Sequence, residues 1–251
     1  MMRAILICLF AAVFSASAED SKKGSVRITA TEPVAIISGT RAVLKIRGFK
    51  LNEAPELRFP NTPAVTAEIK EKKESPQPPG LDNKTVGDSQ LLAEILLPAD
   101  FPAGLLDYVV VTPAGEAIGK IKVFTTDSSA EEKEPNNGFK EATKLQLGIS
   151  MIGTIKGNKD VDVYEFLAQA GKKLKVSVTC GGALLMDAAI HCYSADRQFL
   201  AAADDGETRD PVLIFSTSVD GPVYLCVSDA HDIGGEWHSY VLVVEEVQEA
   251  K

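Results

Sequence analysis

Asp160-Val161-Asp162-Val163-Tyr164-Glu165-Phe166-Leu167 changes side-chain character at every second position, the period of a β-strand with one face turned inward. Gly157-Asn158-Lys159 precedes it with turn-forming residues. Further upstream, beyond a second strand-like run at Met151-Ile155, lies Glu134-Pro135-Asn136-Asn137. An alternating strand opened by carboxylates and amides, with no helical period around it, decides for an all-β fold.

The same reading extends in both directions. Downstream, strands are expected at Leu174-Thr179, Ala188-Tyr193, Val212-Ser216, Val223-Val227 and Tyr240-Val244. Ala170-Gly171-Lys172, Gly181-Gly182, Asp204-Asp205-Gly206, Asp220-Gly221-Pro222 and Gly234-Gly235 mark the turns. Only Phe139 to Leu147 offers a short helical turn. Upstream, Ser25-Val26-Arg27-Ile28-Thr29 and Ala42-Val43-Leu44-Lys45-Ile46-Arg47 alternate, and Tyr108-Val109-Val110-Val111 and Ile118 to Phe124 flank Thr112-Pro113-Ala114-Gly115. Glu74 to Gln90 carries Pro, Gly, Asp, Asn and Lys without hydrophobic period, and reads as a long exposed loop. Asp127 to Lys133 is small, polar and charged, the composition of a linker.

The N-terminus reads as a processing signal. Arg3, the apolar run Ala4 to Phe14 and Ser15-Ala16-Ser17-Ala18 make a secretory signal peptide over 1–18, cleaved before Glu19. No later run approaches the roughly 20 apolar residues of a membrane span. The expected location is therefore periplasmic or extracellular. Cleavage leaves 26 − 1 = 25 basic residues against 35 acidic ones, a net of 25 − 35 = −10. That balance opposes a nucleic-acid partner, which needs a basic stripe. Cys180, Cys192 and Cys226 remain, and the period-2 count turns Cys180 and Cys192 inward as small hydrophobes. Without a CxxC pair, a cysteine zinc site is not indicated.

Two sets of residues bear on chemistry. Glu132, Glu134, Asn136 and Asn137 offer four oxygen-bearing side chains within six residues, and Asp160 and Asp162 share one face at the head of a strand. A hard cation such as Ca²⁺ takes six to eight such oxygens. If the linker folds back beside the strand, they converge; the alternative is that Asp and Asn only form turns and the acidic segment is solvated. The second set is His191, His231 and His238, the three histidines of the chain. They form no HExxH, no GxSxG elbow accompanies them, and adjacent His191 and Cys192 face opposite sides of a strand. No catalytic residue is assigned. Trp237, in a Gly-rich loop, is expected to be buried at a sandwich end.

The block from about residue 132 to 246 resembles the bacterial pre-peptidase C-terminal domain, a jelly-roll-like β-sandwich appended to secreted peptidases and collagenases. The resemblance is carried by Glu134-Pro135-Asn136-Asn137 with Ala142, by Ile152-Gly153-Thr154-Ile155, by Asp160 to Phe166 and by Ala170-Gly171-Lys172-Lys173-Leu174. It continues through Asp187 to Tyr193, Asp204-Asp205-Gly206, Asp210-Pro211, Val223-Tyr224-Leu225 and Tyr240-Val241-Leu242. It implies adhesion or carrier roles without catalytic residues, and a calcium held by the entry linker and the next strand. Glu132, Glu134, Asn136, Asn137, Asp160 and Asp162 occupy those positions here, with Asn137 departing from the aspartate often found there. The first block is similar to bacterial immunoglobulin-like domains of the IPT/TIG kind, on Ser38-Gly39-Thr40, Leu44 to Phe49, Phe101-Pro102-Ala103-Gly104 and Thr112-Pro113-Ala114-Gly115.

The expectation is thus an exported, non-catalytic all-β protein of two tandem β-sandwiches. An Ig-like sandwich spans 24–126, a linker 127–133 and a jelly-roll-like sandwich 134–247. Its partners would be an extracellular or envelope protein or polysaccharide surface, with calcium at the junction. The alternative is an accessory or inhibitory subunit of a secreted peptidase.

Overall fold

The structure, a computed structural model, describes residues 25–78, 80–181 and 185–247. The expected signal peptide lies outside the described residues. The first half runs β1 (Arg27–Glu32), β2 (Ala35–Ile37), β3 (Arg41–Phe49), β4 (Glu56–Arg58), β5 (Thr66–Glu74), α1 (Asn83–Val86), β6 (Ser89–Leu96), β7 (Gly104–Thr112) and β8 (Gly115–Phe124). Its strands make two sheets, β1-β3-β6-β5 and β2-β8-β7-β4. Alternation sends Leu44 and Ile46 of β3, Leu91 and Ile95 of β6, and Leu106, Tyr108 and Val110 of β7 into one core between them.

The second half runs β9 (Ser129–Glu131), β10 (Thr143–Lys144), β11 (Ser150–Thr154), β12 (Val161–Ala168), β13 (Lys173–Cys180), β14 (Ala188–Tyr193), β15 (Phe199–Ala203), β16 (Val212–Ser216), β17 (Gly221–Asp229) and β18 (Ser239–Glu246). Its sheets are β10-β12-β17-β14-β15 and β16-β13-β18-β11-β9. Tyr164, Phe166, Val176, Ile190, Cys192, Leu225 and Leu242 meet in a second core. The chain is all-β, built as two sandwiches.

Three local expectations meet a different outcome. Ser129–Glu131, inside the expected linker, pairs in parallel with β11 as an edge strand, because the backbone needs partners that its small side chains do not obstruct. Phe139 to Leu147 closes one turn, Glu141 N–H to Gly138 C=O at 2.9 Å, and then enters β10 rather than a helix. The loop between β5 and β6 is not simply exposed. Since Leu44 and Ile46 face the core, Arg47 must point to the opposite side of β3. There its guanidinium donates to Val86 O, Pro76 O, Asn83 Oδ1 and Gly87 O, drawing the loop down as a cover. Val86 and Arg47 are both fully buried as a result.

The outer face of β1 and β3 is also where the two sandwiches touch. Ala30, Val86, Leu185 and Trp237 form one small apolar cluster, and Val34, Ala35 and Val241 a second. Trp237 is buried, as expected, but against the other sandwich. Lys45 Nζ and Arg47 Cζ lie 5.4 and 5.7 Å from its ring centroid. Two ring cations over one indole are the favourable cation–π arrangement.

Candidate cation site at the head of β12

Asp162 is the second residue of β12, and its alternation places it inward with Tyr164 and Phe166. It is 0% exposed. The entry segment after β9 folds back beside it, so that Asn136 C=O accepts from Val163 N–H at 2.9 Å. Glu132 is fixed from the other side, accepting from Thr154 N–H of β11 at 2.8 Å. Carboxylate oxygens of Glu132, Glu134 and Asp162 consequently lie within 4.8 Å of one another.

Asn136 is also 0% exposed, and its amide decides what the cluster can hold. One end of that amide lies 2.9 Å from Glu134 Oε2 and 3.2 Å from Asp162 Oδ1. If the nitrogen occupies that end, it donates to both carboxylates and the cluster is satisfied without a metal. If the oxygen occupies it, three oxygens face one another, and the nitrogen donates to Glu132 Oε2 at 3.4 Å instead. A proton on Asp162 or a bound cation relieves that second arrangement.

Two tyrosines complete the site from below. Tyr240 of β18 donates to Asp162 Oδ2 at 2.5 Å, the Tyr164 and Tyr240 hydroxyls lie 2.6 Å apart, and Tyr164 donates to Glu132 Oε2 at 3.1 Å. Three contacts need three protons, and two phenols supply two. The third belongs on the Asp162 carboxyl, in which form the first bond reverses: Asp162 donates to Tyr240 and Tyr240 to Tyr164. Burial, together with the Glu132 and Asp160 charges, pushes the Asp162 carboxyl up to about 8, which matches that count. Both phenols are pushed well up by burial beside the same carboxylates. Gly153 of β11 makes room for the pair, since a Cβ there would stand 2.5 Å from the Tyr240 ring and 2.7 Å from the Tyr164 hydroxyl.

The six residues marked by sequence thus divide. Glu132, Glu134, Asn136 and Asp162 converge. Asp160 turns its carboxylate to Lys156 N–H at 2.7 Å and reaches Asp162 only through its charge. Asn137 is exposed. Lys156 Nζ pairs with Glu134 Oε1 at 3.0 Å, and that ion pair lies at the mouth of the cluster. Oxygen-only donors in this number suit a hard divalent ion and not a transition metal.

The histidines do not assemble. His231 Nδ1 lies 3.6 Å from Asp187 on an exposed turn, and His191 sits half-buried on the outer face of β14. His238 is buried beside Trp237, and neither ring nitrogen has a hydrogen-bond partner. Cys192 is buried, Cys180 and Cys226 are half-buried, and all three are free thiols. Burial pushes the Cys226 and Cys192 thiols up to about 11 and 12, so neither is a ready nucleophile. Among the described residues, no helix is long and apolar enough to cross a membrane.

No protein-family profile matches the sequence. Over 129 residues the chain is 28% identical to a probable subtilase-type serine protease of Deinococcus radiodurans. That match takes in 49% of this chain and spans 17% of the length of the relative. Among solved structures, the chain is similar to the pre-peptidase C-terminal domain of a Bacillus anthracis collagenase, at 19% identity and a TM-score of 0.36. The similarity covers 45% of this chain and 100% of that domain. It is also similar, at 9% identity and a TM-score of 0.26, to a Bacteroides ovatus protein, SGBP-B, in complex with a mixed-linkage heptasaccharide; 89% of this chain and 75% of that one are covered.

Proposed function

We propose that this protein is an exported, non-catalytic binding or adhesion module whose second sandwich is of the pre-peptidase C-terminal kind and whose first is immunoglobulin-like. Its entry segment is fastened to β12 by calcium. The observation that carries the metal reading is the convergence of carboxylate oxygens of Glu132, Glu134 and Asp162 within 4.8 Å of one another. Glu132, Glu134, Asp162 and the Asn136 amide oxygen would hold the ion. Bound there, calcium neutralises three clustered carboxylates and replaces the shared proton, so residues 132–136 become a rigid strap on the sandwich. Among the described residues, no hydroxyl or thiol nucleophile of a catalytic arrangement adjoins the cluster. The partner in this reading is an extracellular or envelope protein or polysaccharide surface.

A second reading has a specific observation in its favour. The likeness to a segment of a probable subtilase-type serine protease, 17% of that protein's length, supports a role as an accessory or inhibitory subunit of a peptidase. Calorimetric titration of the chelated protein with calcium tests the metal reading. Heat of binding to one site, lost in Asp162→Asn and in Glu132→Gln, is the expected result; no binding to the unmodified protein would end it. Co-elution of the protein with a subtilase-type protease, and altered hydrolysis in its presence, would move the assignment to the accessory role.

A further inference from the structure

A second buried carboxyl sits in the contact between the sandwiches. Glu32 is the last residue of β1 and is 6% exposed. It accepts from Ser239 N–H at 3.3 Å and, in a very short contact, from the Ser239 hydroxyl. Ser239 is the first residue of β18, so this bond ties the first sandwich to the second across 207 positions. The same hydroxyl accepts from Val34 N–H at 3.0 Å, and Thr31 N–H donates to Gly181 C=O at 3.3 Å. Packing here is tight: a Cβ on Gly181 would stand 2.7 Å from Thr31 O and 3.0 Å from Glu32 Oε1.

We propose that the Glu32 carboxyl is an acid-set latch between the two sandwiches, closed when it carries a proton and loosened when it ionises. The charged groups around it favour this outcome. Lys45 is its cross-strand partner on β3, and its charge favours the ionised carboxyl. Yet the Lys45 ammonium is directed to Glu236 at 2.7 Å, itself a bridge between the sandwiches. Glu236 therefore takes up the cation and adds its own repulsion. From β13 the Cys180 side chain faces Glu32, and burial with the nearby Asp210 keeps that thiol neutral. His238, next to Ser239, responds to Asp229 and has no resolved coupling to Glu32.

Among the described residues an ionised Glu32 thus meets no contact cation, and two hydrogen bonds do not replace its hydration. Burial pushes the carboxyl up to about 7. In an unfolded or parted chain it returns to the ordinary value of 4.5. The proton-bound form is favoured by the closed contact, so closure is strongest below about pH 4.5 and weakens as pH rises through 7.

Hydrogen exchange on the whole chain, held in chelator so that calcium plays no part, reads the latch directly. The amides of Thr31, Val34 and Ser239 cross the contact; those of Leu44 and Leu225 report the two cores. From pH 5 to pH 8 the protection factors of the first three should fall by roughly tenfold or more relative to the core amides. Glu32→Gln should keep them high and flat. Glu236→Gln is a surface change that keeps a folding question out of the test: it releases Lys45, so the fall should shrink and move to lower pH. A flat profile in the unmodified protein, or an identical fall in Glu32→Gln, overturns the latch. An unaltered profile in Glu236→Gln does so too. Calcium binding can fail its own test and leave these outcomes untouched.

Discussion

Tyr240 donates a 2.5 Å hydrogen bond to Asp162 from 78 positions away, and both side chains are 0% exposed. The bond joins β18 of one sheet to β12 of the other through the middle of the second core. Tyr240→Phe removes the donor and leaves a buried carboxyl short of a partner while keeping the ring volume. It should destabilise the metal-free protein by about 1–3 kcal/mol. Urea unfolding by circular dichroism should show a lower midpoint with unchanged slope; an unchanged midpoint would mean the bond is dispensable.

The pH profile of the metal-free protein should tilt toward acid. Asp162 is raised from 3.8 to about 8 in the fold, so the fold favours its protonated form. Its contribution is fully present below about pH 4 and is lost as pH rises toward 8. Glu32 adds the same sign over the narrower window from 4.5 to about 7. Calcium competes with the Asp162 proton, so its affinity should rise with pH across that range. Thermal melts in chelator should therefore show Tm falling from pH 5 to pH 8, and millimolar calcium should restore it most at the alkaline end. Equal calcium effects at both ends would contradict the shared-proton account.

His238 acts with the opposite sign. Burial holds its imidazole below the ordinary 6.5, and neither ring nitrogen finds a partner. A base depressed in the fold contributes stability above 6.5 that is lost as pH falls below it. Two unpaired buried nitrogens also make the neutral ring a cost at any pH. His238→Phe should raise stability by about 1 kcal/mol near neutrality and by more at pH 5, measured as the same urea midpoint. A lower midpoint at both values would show that the ring is hydrogen-bonded in solution.

Arg47 holds the 75–88 loop by four carbonyl acceptors, three of them backbone, and is fully enclosed beneath it. A lysine reaches one or two of these acceptors with a single ammonium, and a planar fork is lost. Arg47→Lys should cost roughly 2–4 kcal/mol and expose the loop. Limited proteolysis should then cut between residues 75 and 88 well before the cores unfold. Resistance equal to that of the unmodified chain would show the loop is held by other contacts.

How much of this was legible in the sequence follows from contact range. Strands such as Asp162-Leu167 and Val223-Val227 announce themselves because period 2 is local. Phe199–Ala203 escapes a period-2 reading since an alanine-rich run carries little hydrophobic contrast, and Ser129–Glu131 because it is short and polar. Glu132, Glu134 and Asn136 were visible as neighbours in one segment, and Asp162 as the inward head of a strand. Separating Asp162 from Asp160 required the turn in which Asp160 caps Lys156. Tyr164 and Tyr240 join the site through a hydroxyl contact 76 positions long, and Glu32 meets Ser239 across 207. No local pattern encodes those pairings; they arise only when two sheets, or two sandwiches, close on each other.

Gly153 offers the sharpest separation between the fold and the site. It sits on β11 opposite Tyr240, and its missing side chain is the space in which two phenol rings stand. An added methyl would lie 2.5–2.7 Å from the Tyr240 and Tyr164 ring ends, with no flexible terminus on either ring to move aside. Gly153→Ala should therefore displace both hydroxyls from Asp162 and Glu132, costing about 3 kcal/mol by overpacking alone. The entry segment, which meets the cluster from the opposite side, keeps its backbone bond from Val163 N–H to Asn136 C=O. Calcium should consequently still bind Gly153→Ala, but more weakly at pH 6, because Tyr240 no longer donates to Asp162 and so no longer holds its carboxyl down against the competing proton. Calorimetry at pH 6 and pH 8 on this variant decides the matter. Unchanged calcium binding at pH 6 would mean that the tyrosine bonds do not set the ionisation of Asp162.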